Sequence, residues 1–189
     1  MEKDKQAIEK EIIDFLNKMS SKKGMPGAGC GTKHGNALVL ATCRDNLPRA
    51  TPLDFFNEGL TLYIFGEPGG KIGNIRSNSN VSAAIYQQPM DHSVTQKSLQ
   101  IWGKATLLTR KNNEKEFLEK VEKWGIREVA KALLSPQIRS GEIPEGKVSG
   151  VIEKVLDSLN LIKIEPEKMV LRVYQTDFSM PKYTWTKEG

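Results

Sequence analysis

Cysteine and histidine are scarce in this chain, with two of each among 189 residues, and each shortage excludes some chemistry. Cys30 and Cys43 form no CxxC pair, so neither a disulfide scaffold nor a dithiol redox motif is written here, and a reducing compartment would keep both as thiols. Cys30 and His34 stand at CxxxH spacing, but His92 is the only other histidine. A zinc site needs three or four such ligands, and no metal is expected. Neither histidine is matched by a serine or cysteine in a nucleophile motif, which leaves His34 at most a local acid–base role. Long apolar runs are also lacking. None approaches the roughly 20 residues that cross a bilayer, and Met1-Glu2-Lys3-Asp4-Lys5 leads into no apolar signal core, so no membrane partner is expected and the cytoplasm is the expected location. Like charges never gather in blocks of five or six. The net charge of +5 and pI near 9.1 admit an anionic ligand without marking a nucleic-acid stripe. Gly27-Ala28-Gly29-Cys30-Gly31 echoes a dinucleotide loop but follows a helix and a polar linker, not a strand, so its context fails.

What is present is an ordinary globular composition, 38% hydrophobic and 27% charged, in a length that suits one domain over residues 1–189. Ile8, Ile12, Phe15, Leu16 and Met19 recur at helical spacing and predict an amphipathic helix over residues 1–20. Residues 20–35 are too rich in glycine for a regular element and read as a loop. Residues 37–43 form an apolar run that looks buried on both faces. Arg44-Asp45-Asn46 signals a turn, and residues 47–54 return as an extended segment whose prolines suit an edge strand. Asn57-Glu58-Gly59 turns the chain into a strong strand over 60–65. A short helix follows at 71–76, then strands at 80–86 and 98–108, with Gly103 marking a bulge or tight bend. Such closely spaced strands argue for an antiparallel barrel or sandwich.

Residues 112–160 read as a helical insert. Phe117, Leu118, Val121 and Trp124 make one apolar face. Ile126, Val129, Ala130, Leu133 and Leu134 make a second that Pro136 ends, residues 137–147 read as a loop, and Val148 to Leu159 make a third. Short strands follow at Ile162–Ile164 and 169–174.

The segment from Tyr63 to Ile75 carries the most chemistry. A strand ends at Phe65, glycines follow at Gly66, Gly69 and Gly70, and Lys71 opens a helix. Glycines let backbone amides approach a ligand, a helix start presents unpaired N–H groups, and the ammonium completes a place shaped for phosphate. The alternative is a hairpin turn with a solvated lysine. Arg49 lies on the strand before, so in a meander it would pair alongside and reach the same end. Two cations suit a phosphate dianion, with arginine supplying a bidentate fork, although a surface ion pair is the alternative. Gln100 and Trp102 are two apart on one strand and share a face, where an amide beside a flat ring suits a heteroaromatic ligand or, for the tryptophan, plain core.

In order and spacing, the segments Leu38–Thr42, Pro48–Leu53, Leu62–Gly66, Gly70–Ile75, Asn80–Ile85 and Leu99–Ala105 resemble the pyridoxamine 5′-phosphate oxidase-like, FMN-binding split-barrel family. The resemblance implies a mainly β fold, a six-stranded antiparallel split barrel with inserted helices. It implies a homodimer with FMN at the interface and redox chemistry on a small molecule. Arg49 and Lys71 match phosphate-binding positions. Ala50, Thr51, Pro52 and Leu53 match the strand along the flavin ring, while Phe65 and Gly66 match the strand end near the ribityl chain. Gln100 and Trp102 match the strand that flanks the flavin or approaches it from the partner. Gly70 departs from the family's usual serine or threonine and would offer only its backbone amide. Tyr183-Thr184-Trp185-Thr186 does not match the carboxy-terminal segment of true pyridoxamine phosphate oxidases, so neither substrate nor catalytic residues transfer. The insert would serve as an active-site cover or a dimer contact. Rival readings are a non-catalytic flavin- or haem-binding module, with His34 or His92 as iron ligand, a deazaflavin protein, or a basic barrel on nucleic acid.

Overall fold

The computed structural model describes residues 4–24, 38–87 and 93–188. Helix α1 (Lys5–Met19) starts where Asp4 accepts a 2.7 Å hydrogen bond from the amide of Ala7, a side-chain cap of one orphan donor. All five of its periodic apolar residues are buried, each contributing about 1.5–3 kcal/mol of gross transfer energy. Strand β1 (Leu38–Arg44) turns through Asp45 and Asn46 into β2 (Leu47–Leu53). Both turn residues have positive φ, 53° and 58°, the backbone of a two-residue type I′ hairpin, which Asp and Asn tolerate better than most side chains.

Then come β3 (Phe56–Glu58), β4 (Thr61–Gly66), α2 (Gly70–Ser77), β5 (Asn80–Tyr86) and β6 (Gln96–Leu108). The insert follows as α3 (Glu114–Trp124), α4 (Ile126–Leu133), α5 (Ser135–Arg139), a 3₁₀ turn at Glu145–Lys147, and α6 (Val148–Ser158). The chain closes with β7 (Asn160–Tyr174) and β8 (Lys182–Thr186).

The strands form one antiparallel sheet in the order β2-β1-β5-β6-β7-β4-β3, with β8 also on β7. One edge of β7 pairs with β6 along most of its length, and its other edge is shared by β4 near residues 160–164 and β8 near 168–172. The sheet is mainly β with helices added, open along one seam, as a split barrel requires. It has eight strands where the resemblance implies six; β3 and β8 are short additions at its margins.

Four expectations are corrected. The β1 run is buried on one face only: Leu38, Leu40 and Thr42 point inward, while Val39 is 39% exposed, because β1 has a barrel interior on just one side. The segments before and after Pro166 form a single strand. Pro166 lacks an amide donor, and the ladder accommodates it through a register shift between Trp102 and Gly103. Gly103 makes this possible, since a Cβ there would lie 2.3 Å from the Glu165 carbonyl oxygen and 2.8 Å from Pro166 Cα. Pro136 ends α4 but also opens α5, where a proline in the first turn costs no hydrogen bond; the loop expected after it is thus partly helical. Finally, β2 does not pair with β4: in the sheet order they lie near opposite ends.

Two apolar clusters hold this arrangement. The larger fills the barrel and takes in α1 and Trp185, whose indole N–H donates to Glu9 at 2.8 Å. The second joins the insert to β3, β4 and β7, with Phe56 stacked on Trp124 at 4.8 Å between ring centres. Charge reinforces it. Arg110 binds Glu153 at 2.7 Å and Asp157 at 3.2 Å, and Arg127 binds Glu153 and Glu122, so α4 and α6 are tied to the end of β6.

Candidate functional site

In β2 the register Thr42↔Arg49, Leu40↔Thr51 and Leu38↔Leu53 turns Arg49, Thr51 and Leu53 toward the side that carries the core. Ala50 and Pro52, opposite Ala41 and Val39, face outward. From this inner side Arg49 reaches the start of α2. Its guanidinium occupies the space a side chain at Gly70 would need: a Cβ there would stand 2.8 Å from Nη1 and 3.2 Å from Cζ. The Lys71 side chain folds back across Gly66, where a Cβ would stand 2.9 Å from Cε and 3.6 Å from Nζ. The two cations therefore meet at one corner, as the sequence suggests, but by another route. No meander pairing brings them together; the curl of the sheet and the β4–α2 turn do.

The electrostatics of this corner are unbalanced. Neither Arg49 nor Lys71 has a carboxylate within ion-pair distance among the described residues, and the Lys71 ammonium donates only to the Glu67 carbonyl at 3.4 Å. Helix α2 carries no side-chain cap, so its first amides keep their donor capacity and the positive end of the helix adds to the two cations. Nearby in β2, the Thr51 hydroxyl is shut off from solvent and has no hydrogen-bond partner among the described residues. Such an orphan costs about 1–3 kcal/mol.

A cavity of about 330 Å³ opens beside the corner. Leu53, Phe65, Gly66 and Lys71 line one side of it, so four expected site residues from β2, β4 and α2 do converge. Its other wall comes from the insert: Ile126, Val129, Ala130 and Leu133 of α4, with Val155 of α6 and Leu159 just after it. Sequence reasoning read these as helix core faces. Their apolar spacing is the same whether the face packs or lines a chamber; in the structure Leu133 remains 60% exposed.

Gln100 and Trp102 share a face as their spacing predicts, but it is the outer face of β6, away from this corner. Trp102 is 41% exposed, under the ammonium of Lys168 at 5.6 Å. Across the sheet Gln100 lies in register with Ala84 and Val170, and Trp102 with Ser82 and Lys168. Within one chain these two residues do not join Arg49 and Lys71. Cys30, His34, His92 and the glycine loop lie outside the described residues. Among the described residues no helix is long and apolar enough to cross a membrane.

A second charged cluster packs under the insert. Lys120, whose side chain is only 7% exposed, donates to both oxygens of Glu58 at 2.8 and 2.9 Å and lies over the rings of Tyr63 and Trp124. Burial works against its charge, but the hydrogen bonds to Glu58 and Glu119 outweigh it and raise the pKa. Glu58 is held below its ordinary value: burial pushes it up, and the bonds from Lys120 and Lys123 more than reverse this. The cluster is internally neutralised and serves to fix α3 on β3.

Comparison with known proteins agrees with this architecture. Uncharacterized protein RA0666 of Rhizobium meliloti is 43% identical over 53 residues, a stretch covering 28% of this chain and 35% of that protein; the match thus spans about a third of the relative's length. A proposed pyridoxamine 5′-phosphate oxidase from Listeria innocua shares the fold at 21% identity, with a TM-score of 0.50 over 86% of this chain and 95% of that one. PhzG from Burkholderia lata, solved with tetrahydrophenazine-1-carboxylic acid, shares it at 14% identity and a TM-score of 0.53, over 81% and 77% of the two chains. At these identities the likeness is one of fold. The model of the pyridoxamine 5′-phosphate oxidase family, however, matches residues 32–170, most of the sequence and nearly all of the sheet. The chain belongs to the pyridoxamine 5′-phosphate oxidase family.

Proposed function

We propose that this protein is a flavin-dependent oxidoreductase that binds FMN non-covalently, with the cofactor phosphate at the corner formed by Arg49, Lys71 and the first turn of α2. The observation that carries the reading is the convergence of two cations without counter-charges on an uncapped helix start, packed over two glycines. A phosphate dianion supplies what this corner lacks. It accepts a fork from Arg49 and a point contact from Lys71, and it takes the open amides of Gly70 and Lys71. At Gly70 the Arg49 guanidinium fills the space a side chain would need, so this position offers its backbone amide alone. The residues present therefore fit the group.

The flavin, when bound, supplies hydride or electron transfer, and the protein supplies its position and surroundings. In this reading the β2 backbone from Ala50 to Leu53 runs along the ring, and Phe65 and Gly66 meet the ribityl chain. The insert excludes water from the adjoining chamber. No side chain is assigned a proton-transfer role.

The outer face of the sheet supports a homodimer. Val39 and Trp102 are exposed there beside Ala84, Ala50 and Pro52, a surface of small and apolar groups that suits a second copy. Across such an interface Gln100 and Trp102 would approach the partner's cofactor, which accounts for their distance from their own chain's corner. An absorption spectrum of the purified protein, with mass identification of the released chromophore, tests the reading. The two-band visible spectrum of an oxidised flavin is expected, with FMN as the released species. A Soret band or a deazaflavin mass would overturn it.

A further inference from the structure

We infer that the chamber walled by the insert selects an uncharged, largely apolar substrate and rejects phosphorylated or carboxylated ones; this rests on the cofactor reading above. At about 330 Å³ the chamber lies at the low end of small-molecule sites, roughly 300–1,000 Å³. From Leu53 and Phe65 on the barrel side to Val129 and Leu133 on the insert side, its lining is apolar. Among the described residues Lys71 is the only cation in that lining, and it stands at the phosphate corner, where the cofactor claims it. The other charged groups of the lining, Asp54 and Glu67, are carboxylates and supply no counter-charge to an anion.

The insert's buried and half-buried cations offer no help. Lys120 is committed to Glu58 and Glu119, and Arg127 to Glu122 and Glu153. An anionic substrate entering here would give up its hydration and find no counter-charge, while a neutral ring system would lose little and bury apolar surface. Selectivity in this protein is thus set by the apolar wall of the insert together with the carboxylates on the barrel side.

The test compares 2-naphthamide with 2-naphthoate, one ring system with and without a charge, by isothermal titration calorimetry on FMN-loaded protein. The amide is expected to bind roughly tenfold or more tighter than the acid, a difference of about 1.4 kcal/mol. Leu133→Arg, at a position already 60% exposed, is expected to fold normally, to leave FMN affinity within about twofold, and to bring the acid level with or ahead of the amide. Equal binding of the two probes in the parent protein would overturn the inference. So would a preference unmoved by Leu133→Arg, or competition between FMN and the amide, which would make the chamber the cofactor's own bed. If the protein binds no FMN, the same titrations are run on the unloaded protein, and an intact amide preference with its response to Leu133→Arg would refute the cofactor reading and uphold the chamber's selectivity.

Discussion

Gly70→Ala separates a cofactor site from a structural turn, because stability and affinity should move in different directions. The new Cβ would stand 2.8 Å from Arg49 Nη1, closer than such atoms approach, so one of them must move. Backbone cannot yield cheaply, but the end of an exposed arginine side chain can; the guanidinium swings out and the fold is kept. Alanine is a better helix residue than glycine by up to about 1 kcal/mol, so the melting temperature should stay level or rise by roughly 2–4 °C. Affinity for FMN should fall. Complete loss of the arginine's charge-assisted contact is worth about 1.5–3 kcal/mol, or roughly 10- to 150-fold in Kd, which is the expectation for Arg49→Ala. Displacement without removal should give the lower figure, about tenfold. Flavin fluorescence quenching on apoprotein measures the Kd, and differential scanning fluorimetry measures the melt. FMN affinity unchanged in Gly70→Ala, with the melt unchanged, would refute the placement of Arg49 on the phosphate.

Further expectations concern the frame around the site. Gly103→Ala should cost about 2–4 kcal/mol, because its Cβ would lie 2.3 Å from the Glu165 carbonyl oxygen, and two paired strands must separate to admit it; chemical denaturation reads the loss. Glu58→Gln should cost about 1–3 kcal/mol near neutral pH by leaving Lys120 short of its partner. Since Glu58 titrates below its ordinary value of 4.5, its contribution is present above that value and disappears as the pH falls through the lower, folded-state pKa. The parent should therefore lose stability more steeply than the variant on acidification, as stability measured across pH 3–6 would show (roughly the window that brackets this titration). Trp102→Glu should convert a dimer to monomer in light scattering and weaken FMN retention without unfolding the barrel, because the residue is exposed within one chain.

Much of the barrel was legible because its signals are local. Alternation at Val81, Ala83 and Ile85 needs only the strand itself, and all three are buried. The helical spacing of Ile8 to Met19 likewise marks its own buried face. Strand partnership was not legible, since β2 and β4 are neighbours in sequence but distant in sheet order, and no local pattern records which edge a strand joins. The continuity of β7 through Pro166 was hidden for a related reason: a proline normally argues against a central strand, and the compensating register shift involves Gly103 on another strand. At the site, Arg49 and Lys71 could be paired from residue chemistry and spacing, although the supporting geometry differs. The insert's part in the cavity could not be read, because Val129 and Leu133 have the same pattern whether their face packs or leaves a chamber.

The central claim is that two cations recognise a phosphate, and FMN and riboflavin differ by that phosphate alone. Titrating both flavins against the parent protein and the Arg49→Ala/Lys71→Ala double variant tests it most directly. The parent should prefer FMN by roughly a hundredfold or more, about 2.7 kcal/mol, and the double variant should bind the two flavins within a few-fold of each other. An undiminished preference for FMN in the double variant would contradict the account.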